Sequence, residues 1–399
     1  MKHYSKEQLT RIERYRIRQW ERAKNRKIKL IQKRKRGGAG NPSHPRGDGR
    51  QGYREQYIAP GTKEHQLVAP HFMDFDENIE ASLSFLDRIL RWVLVKNRTV
   101  YVRLDTVSSM TPEAAVALAA TIQRCMDLKP DALNGSFPRS KQVRRLLSAL
   151  GFSDLLEILP VPETESAKSK RRYISMISGS QGSTAVFPDF IKNIFGDVAR
   201  FSQEKHFEVE NALKGGLGEA MLNVFQHAYN NVGKLPFPIG GPNRWWMAGY
   251  RDAGAKEVCF MFMDQGATIP TTLPLNFSEA VKKVTSKVVG PLNDLPSGID
   301  GELIMAGMNI GRTGKANRAG QGHGLNDLKD FIQYGVNADK GKGNCDGCGT
   351  LRILSRRGSY LYENTGDETC ASLSKPLNGT LIVWRLSAGS AIEWNEIDE

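Results

Sequence analysis

The uneven distribution of charge along the chain is the feature that most constrains its fold. The 399 residues have a net charge of +13, and residues 1–50 alone contain 17 Lys and Arg but only 4 Asp and Glu. The rest of the chain is therefore close to neutral. A segment so rich in like charges repels itself and cannot join an apolar core. We expect a basic, partly helical arm and linker over residues 1–52, followed by a globular body.

The arm has the features of a helix followed by a flexible linker. Ser5 and Gln8 have the spacing of a capping box, and neither Pro nor Gly interrupts the chain before Gly37. The stretch from Gly37 to Gly52 is rich in Gly and Pro and predicts a linker. Because its basic residues are interleaved with aromatic ones, the arm can bind nucleic acid through residues 1–50. The same composition would also suit binding to an acidic protein partner, or a tail that only increases solubility.

Composition excludes several classes of protein. No run approaches eighteen consecutive apolar residues, so we expect no transmembrane helix and no membrane partner. The first residues lack the apolar core of a secretory signal. Five cysteines are an odd, sparse set that fits a cytoplasmic protein better than a disulfide framework. Cys345 and Cys348 have the spacing of a zinc or redox pair, but only Cys370 could be a third ligand, so we interpret them as part of a turn.

Residues 60–165 alternate between strand-forming and helix-forming segments. Thr99–Asp105 is rich in β-branched residues, and the segment that begins at Pro112 has strong helix formers after a proline suited to a first turn. A later helical segment has one apolar face, formed by Val143, Leu146, Leu147 and Leu150. This alternation predicts a small α/β layer domain.

The order of these elements resembles the STAS fold of anti-sigma-factor antagonists. Members of that family carry a phosphorylatable Ser in an Asp-Ser-Ser/Ala-Gly phrase at the start of the first long helix. The corresponding stretch here is SSMTPEAA, with Ser108, Ser109 and Thr111 but no Asp-Ser pair and no Gly. The resemblance implies a docking or regulatory module, and phosphorylation of these hydroxyls is the alternative.

A polar row with an apolar flank occurs in the segment GLGEAMLNVFQHAYNN. Glu219, Asn223 and His227 are spaced at i, i+4 and i+8, which places them in one row if the segment is helical. An apolar stripe beside the row contains Leu217, Met221, Val224 and Ala228. Alone, such a row is more often structural than catalytic.

Three further motifs follow this helix. The apolar strand VCFMFMD ends at Asp264 before Gly266, and a carboxylate at a strand end can face a ligand. The strand LIVWRL is predicted to begin at Gly379 and Thr380. Between them, alternate glycines precede a helix, and their backbone N–H groups can bind an anion; these are Gly320, Gly322 and Gly324.

Taken in order, the four motifs resemble the GHKL ATPase superfamily with its Bergerat nucleotide-binding fold. The nearest branch is that of the anti-sigma-factor serine kinases, whose helix phrase Glu-Ala-x-x-Asn-x-x-x-His-Ala/Gly-Tyr matches Glu219–Tyr229. The resemblance implies a Bergerat-type α/β sandwich, a mixed sheet covered by helices, over residues 170–399. The expected fold class is therefore α/β, with this sandwich preceded by the STAS-like domain and the basic arm.

The resemblance also implies roles for individual residues. Asn223 would ligate Mg²⁺, and Glu219 would be the catalytic general base. Asp264 would accept a hydrogen bond from the adenine amino group, with Gly266 permitting close approach and Thr380 near the base. His227 is assigned to packing. The phosphates would be enclosed by Gly320, Gly322, Gly324 and Leu325.

The segment between Ile269 and Gly320 corresponds to the ATP lid of that superfamily. It contains the breaker-rich phrases PLNDLPSGIDG and GRTGKANRAG, so we expect it to be mobile. Its candidate phosphate contacts are Arg312, Lys315 and Arg318.

Two functions remain open for an Mg²⁺-dependent ATP-binding protein of this kind. The first is a regulatory ATPase or serine/threonine protein kinase whose lid is coupled to the STAS-like domain or to a regulatory protein partner. The second is a nucleotide-sensing module that does not hydrolyse ATP and uses its basic arm to contact nucleic acid or an acidic partner. Relatives often dimerise, so a homodimer is expected by analogy.

Overall fold

The computed structural model describes most of the chain after residue 64. The described residues are 65–156, 158, 171–180, 186–195, 199–201, 206–229, 243–276, 297–309, 325, 328–329, 332, 349–387 and 392–394. The predictions for the arm, for the three alternate glycines, for Cys345 and Cys348 and for the lid cations lie outside them.

The N-terminal unit is built on a small parallel sheet. Its strands are β1 (His65–Val68), β2 (Phe72–Met73), β3 (Val100–Arg103), β4 (Ser109–Met110) and β5 (Leu133–Ser136). The sheet order is β1-β3-β5, and β2 pairs with β4. The helices are α1 (Ile79–Leu90), which continues in a π-helical turn, α2 (Pro112–Leu128), α3 (Lys141–Ala149) and α4 (Phe152–Leu156). The alternation predicted from the sequence is confirmed.

The rest of the described chain is built on an antiparallel sheet in the order β10-β11-β9-β8-β6. Its strands, with the short pair β7 and β12, are β6 (Arg171–Gly179), β7 (Ala199–Phe201), β8 (Trp245–Asp252), β9 (Glu257–Asp264), β10 (Gly349–Glu363), β11 (Glu368–Leu386) and β12 (Ile392–Trp394). The helices are α5 (Phe187–Phe195), α6 (His206–Asn223), which continues in a π-helical turn that ends at Ala228, α7 (Ile269–Asn276) and α8 (Asp300–Asn309).

The prediction of an α/β class is confirmed, but the sheet of residues 170–399, expected to be mixed, is antiparallel at every strand pairing that the structure describes. Among the described residues, the parallel pairs lie in the N-terminal unit and the antiparallel pairs in the larger sheet and the β7–β12 pair. The larger sheet can be antiparallel throughout because a tight turn joins β8 to β9 and another joins β10 to β11.

Both faces of the central strands β8 and β9 are buried. On β8, Trp246, Ala248 and Tyr250 belong to the core of the N-terminal unit, while Trp245 and Met247 belong to the core formed with α5, α6 and α8. A strand with two buried faces has no polar side to present to water, which explains why β8 and β9 read as nearly continuous apolar runs.

Helix α2 is enclosed between the N-terminal sheet and the larger sheet. Thr111 caps its first turn by accepting a hydrogen bond from Ala114 N at 3.4 Å. Every residue from 112 to 121 is buried, and the helix contacts β5 on one side and β8 and β9 on the other. Its many alanines suit this position because small side chains allow close approach on all sides.

Ion pairs supplement the apolar contact between the two units. The Arg385 guanidinium on β11 binds Glu113 in the first turn of α2, where the carboxylate is almost fully buried. Arg352 on β10 binds Asp76 and also donates to the Phe75 carbonyl at 2.7 Å. These contacts lie on the apolar boundary and fix the register of one unit on the other.

Two expectations about the C-terminal half are wrong. Strand β11 begins at Glu368 and not at Gly379, because its polar outer half pairs with the end of β10. Part of the predicted mobile lid is packed core: α8 starts at Asp300, and its Leu303 and Ile304 are fully buried. The Asp300 carboxylate accepts a hydrogen bond from Arg356 Nε at 2.6 Å, which anchors this helix to β10.

We predict that a larger side chain at a buried position of α2 destabilises the folded protein. Ala117→Leu adds volume to a fully buried helix with packing on both sides, and should lower the free energy of unfolding by about 1–3 kcal/mol. Ala149→Leu, at an exposed position at the end of α3, should change it by less than about 0.5 kcal/mol. Urea denaturation of both variants measures the difference, and equal stabilities would contradict the enclosed position of α2.

Candidate functional site

Helix α6 presents the predicted polar row beside its buried stripe. The residues of that stripe are all buried: Leu217, Met221, Val224 and Ala228. Glu219 and Asn223 are half-buried, and Asn223 Nδ2 donates a hydrogen bond to Glu219 Oε1 at 3.1 Å. This bond uses the amide N–H group, so the amide oxygen is the atom with which Asn223 can bind a cation.

A polar corner forms where β9 ends. The Asp264 side chain is only 6% exposed and accepts a hydrogen bond from Gly266 N at 2.7 Å. Thr380 lies directly opposite Asp264 in the register of β11 and β9. Its hydroxyl is 2.8 Å from the Ser355 hydroxyl, which accepts from Ile269 N at 3.0 Å. The Asp264 carboxylate is thus bound by one backbone N–H group, and the two hydroxyls are bound to each other, with a second backbone N–H group bound to Ser355.

The turn after Asp264 rests on the end of α6. Ala267 N donates to Ala228 O at 2.6 Å. A Cβ atom at Gly266 would come within 2.5 Å of the same carbonyl oxygen, so a side chain cannot be placed there without moving the turn. On the neighbouring strand, Gly379 has φ +128°, and a Cβ atom would lie 1.9 Å from Asp264 O. Glycine at both positions allows three backbone segments to meet at the corner.

Tyr229 ties this turn to the start of β8. Its phenol donates to Arg244 O at 2.6 Å and accepts from Gln265 N at 3.2 Å. The sequence motif includes Tyr229, but its role in holding the turn was missed because both partners are distant in sequence. Its position directly after the apolar stripe indicated a buried Tyr, and the hydroxyl of a buried Tyr usually has hydrogen-bond partners.

Burial shifts the ionisation of two residues at the site. Desolvation raises the pKa of Asp264 to about 7, against the opposing effect of the hydrogen bond from Gly266. Desolvation also lowers the pKa of the half-buried His227 imidazole. Among the described residues, Gly266 is the one hydrogen-bond donor to the Asp264 carboxylate. An additional donor would therefore stabilise its ionised form.

The helix after the predicted glycine loop is described at a few positions. Leu325 is half-buried and packs on the same core as α6, near Gly307 of α8. Lys329 is fully buried, and its Nζ lies 2.6 Å from Glu368 Oε1. Sequence reasoning missed this ion pair because a Lys in a polar stretch usually faces water. It connects the helix to the outer half of β11.

The structure places the predicted residues in two groups that are linked through the segment after α6. Glu219 and Asn223 form one group, and Asp264, Gly266 and Thr380 form the other. Ala228 joins them, since its carbonyl accepts from Ala267 N and it ends the π-helical turn that follows Asn223. Within the described ranges, no cluster of three or more His, Cys, Asp or Glu side chains forms a metal site.

Comparison with known proteins adds no assignment. No protein-family model and no curated protein matches the chain. In the part of the chain that the structure describes, no helix combines the length and apolar character needed to cross a membrane.

We predict that Asp264 destabilises the protein without ligand at neutral pH. Since its folded-state pKa is raised, the folded chain retains a proton that the unfolded chain loses, and stability falls as pH rises from about 4 to about 7. Asp264→Asn keeps the acceptor for Gly266 but cannot ionise. It should be more stable than wild type at pH 8 by a few kcal/mol (order of magnitude only), a gap that closes near pH 4.

Thermal denaturation over this pH range tests the prediction. The control is Asp131→Asn, at an exposed position with φ 70° that Asn also tolerates. Its stability should follow that of wild type at every pH. A stability gap for Asp264→Asn that does not change with pH would contradict the proposed ionisation.

We also predict opposite effects for two glycine substitutions on or near α6. Gly266→Ala should lower the free energy of unfolding by at least about 2 kcal/mol, because its Cβ would overlap Ala228. Gly215→Ala places a Cβ in open space on the helix and should raise stability by about 0.5–1 kcal/mol. Chemical denaturation of both variants checks the signs, and a neutral Gly266→Ala would show that the turn does not rest on α6.

Proposed function

We propose that this chain is an Mg²⁺-dependent ATP-binding protein of the GHKL type, with a Bergerat-type site in residues 170–399. One observation carries the proposal: the turn that contains Asp264 and Gly266, with Thr380 beside it, rests on the end of the helix that presents Glu219 and Asn223. This is the arrangement that the four sequence motifs imply. The element order, with helices packed on an antiparallel sheet, is compatible with it.

The chemistry of the corner fits an adenine base. Asp264 is a buried carboxyl group that an additional N–H donor would stabilise as a carboxylate. The exocyclic amino group of adenine is such a donor, and its hydrogen bond would lower the pKa of Asp264. The Thr380 hydroxyl can donate to a ring nitrogen, or can donate to or accept from an ordered water at the same edge. Site groups that stay unsatisfied without ligand favour ligands that complete them.

Helix α6 offers oxygen ligands for a magnesium ion. Asn223 directs its amide N–H at Glu219, so its oxygen can bind a hard cation. Mg²⁺ commonly takes one or two protein oxygens and completes its shell with water and phosphate. When bound, Mg-ATP would supply the cation and the phosphoryl group. Glu219 would then accept a proton from a water or hydroxyl nucleophile in the role of general base.

We predict that Glu219→Gln separates binding from chemistry. Gln keeps an acceptor for Asn223 Nδ2 but cannot act as a base at neutral pH, so ATP turnover should fall by about 100-fold or more. Affinity for Mg-ADP should stay within about threefold of wild type, since binding needs no proton transfer. Calorimetry measures the affinity, and phosphate release or label transfer to protein measures the chemistry.

The matched control is Glu77→Gln, which makes the same change at an exposed position of the N-terminal unit. It should bind and turn over as wild type does. Wild-type binding without turnover or label transfer would favour the non-hydrolysing nucleotide module. Full turnover by Glu219→Gln would contradict the assigned role of Glu219.

A further inference from the structure

Helix α2 of the N-terminal unit contacts the back of the proposed base corner. Gln265 lies between Asp264 and Gly266, and its side chain points away from them into the boundary between the units. Its Nε2 donates to Thr121 Oγ1 at 3.3 Å. Gln265 is only 8% exposed, and its Oε1 has no hydrogen-bond partner in the described structure. Thr121 therefore supplies the side-chain hydrogen bond that Gln265 makes.

One turn further along α2, Arg124 contacts the residue that clamps the same turn. Its guanidinium lies over the Tyr229 ring, 6.0 Å from the ring centre. Arg124 is buried, so this cation–π contact is shielded from water. The Tyr229 hydroxyl in turn holds Gln265 N and Arg244 O. Arg124 thus acts on the position of Asp264 through Tyr229.

A third contact of α2 fixes the segment that leads into β8. Asp127 accepts from Arg244 Nε at 2.5 Å and from Arg244 Nη2 at 3.2 Å. Such a two-point pairing fixes orientation as well as distance. Thr121, Arg124 and Asp127 are spaced at i, i+3 and i+6, so they follow one face of the helix.

The corner therefore has two sets of contacts. On one side it carries the Asp264 carboxylate and the Thr380 hydroxyl, the groups that the proposed function assigns to the base. Its back atoms are held by α2, which is enclosed between two sheets and must move with the N-terminal unit. A small displacement of α2 would remove hydrogen bonds from Gln265 and alter the turn that carries Asp264.

We infer that α2 couples the N-terminal unit to the nucleotide site, with Thr121 and Arg124 as positioning residues for the turn at Asp264–Gly266. This inference rests on the proposed function and adds its regulation. A partner that shifts the N-terminal unit changes the affinity for nucleotide. By reciprocity, nucleotide binding stabilises the contacts between α2 and the turn by the same coupling free energy.

The test uses the full chain and two substitutions at one position. Thr121→Val keeps the shape of the side chain but removes the acceptor for Gln265 Nε2, whereas Thr121→Ser retains a hydroxyl. We expect Thr121→Val to bind Mg-ADP about 5- to 20-fold more weakly than wild type, with Thr121→Ser close to wild type. Calorimetry measures both, and thermal denaturation verifies that each variant is folded.

Hydrogen exchange supplies a readout that a merely structural role would not change. In wild type, saturation with Mg-ADP should increase protection of the α2 amides but not of the α3 amides, since α3 does not contact the corner. Thr121→Val at saturation should lose most of that increase.

Unchanged α2 protection in a wild-type protein that binds nucleotide would overturn the coupling and leave the proposed function intact. If Thr121→Val bound Mg-ADP with the affinity of wild type, the coupling would likewise be overturned and the proposed function left intact. Absence of nucleotide binding by wild type would overturn the proposed function, and the coupling with it.

Discussion

The backbone contact between Ala267 and Ala228 is the constraint on which the site depends. It places the end of β9 on the end of α6, and it is permitted because Gly266 has no side chain to strike the helix. Through this contact the strand end that carries Asp264 is joined to the helix that carries Glu219 and Asn223. The raised pKa of Asp264 is a consequence, since the same close packing that builds the corner removes water from the carboxyl group.

Burial of both faces of the central strands of the larger sheet gives the N-terminal unit a structural part in that corner. One face packs on α5, α6 and α8, and the other on α2 and its neighbours. The helix that fills the second face also supplies Thr121 and Arg124 to the back of the Asp264 turn. A displacement of the N-terminal unit would therefore act on the turn itself through these two side chains.

Local features of this structure could be predicted from the sequence, and contacts between distant segments could not. The start of α2 at Pro112, the buried stripe of α6 and the end of β9 at Asp264 each follow from patterns within a few residues. The contact between Thr121 and Gln265 joins residues 144 positions apart and leaves no local pattern. The outer half of β11 was missed because its polar residues and turn formers resemble a loop, although pairing with β10 makes it a strand.

The most direct test of the central claim is a calorimetric titration of Mg-ADP into the full chain at pH 7, in two buffers of different ionisation enthalpy. If Asp264 must ionise to accept the adenine amino group, a carboxyl with a pKa of about 7 releases about half a proton per nucleotide bound. The Asp264→Asn variant should bind Mg-ADP weakly and release no proton from this position. Absence of binding heat, or tight binding by wild type with no proton release, would contradict the account.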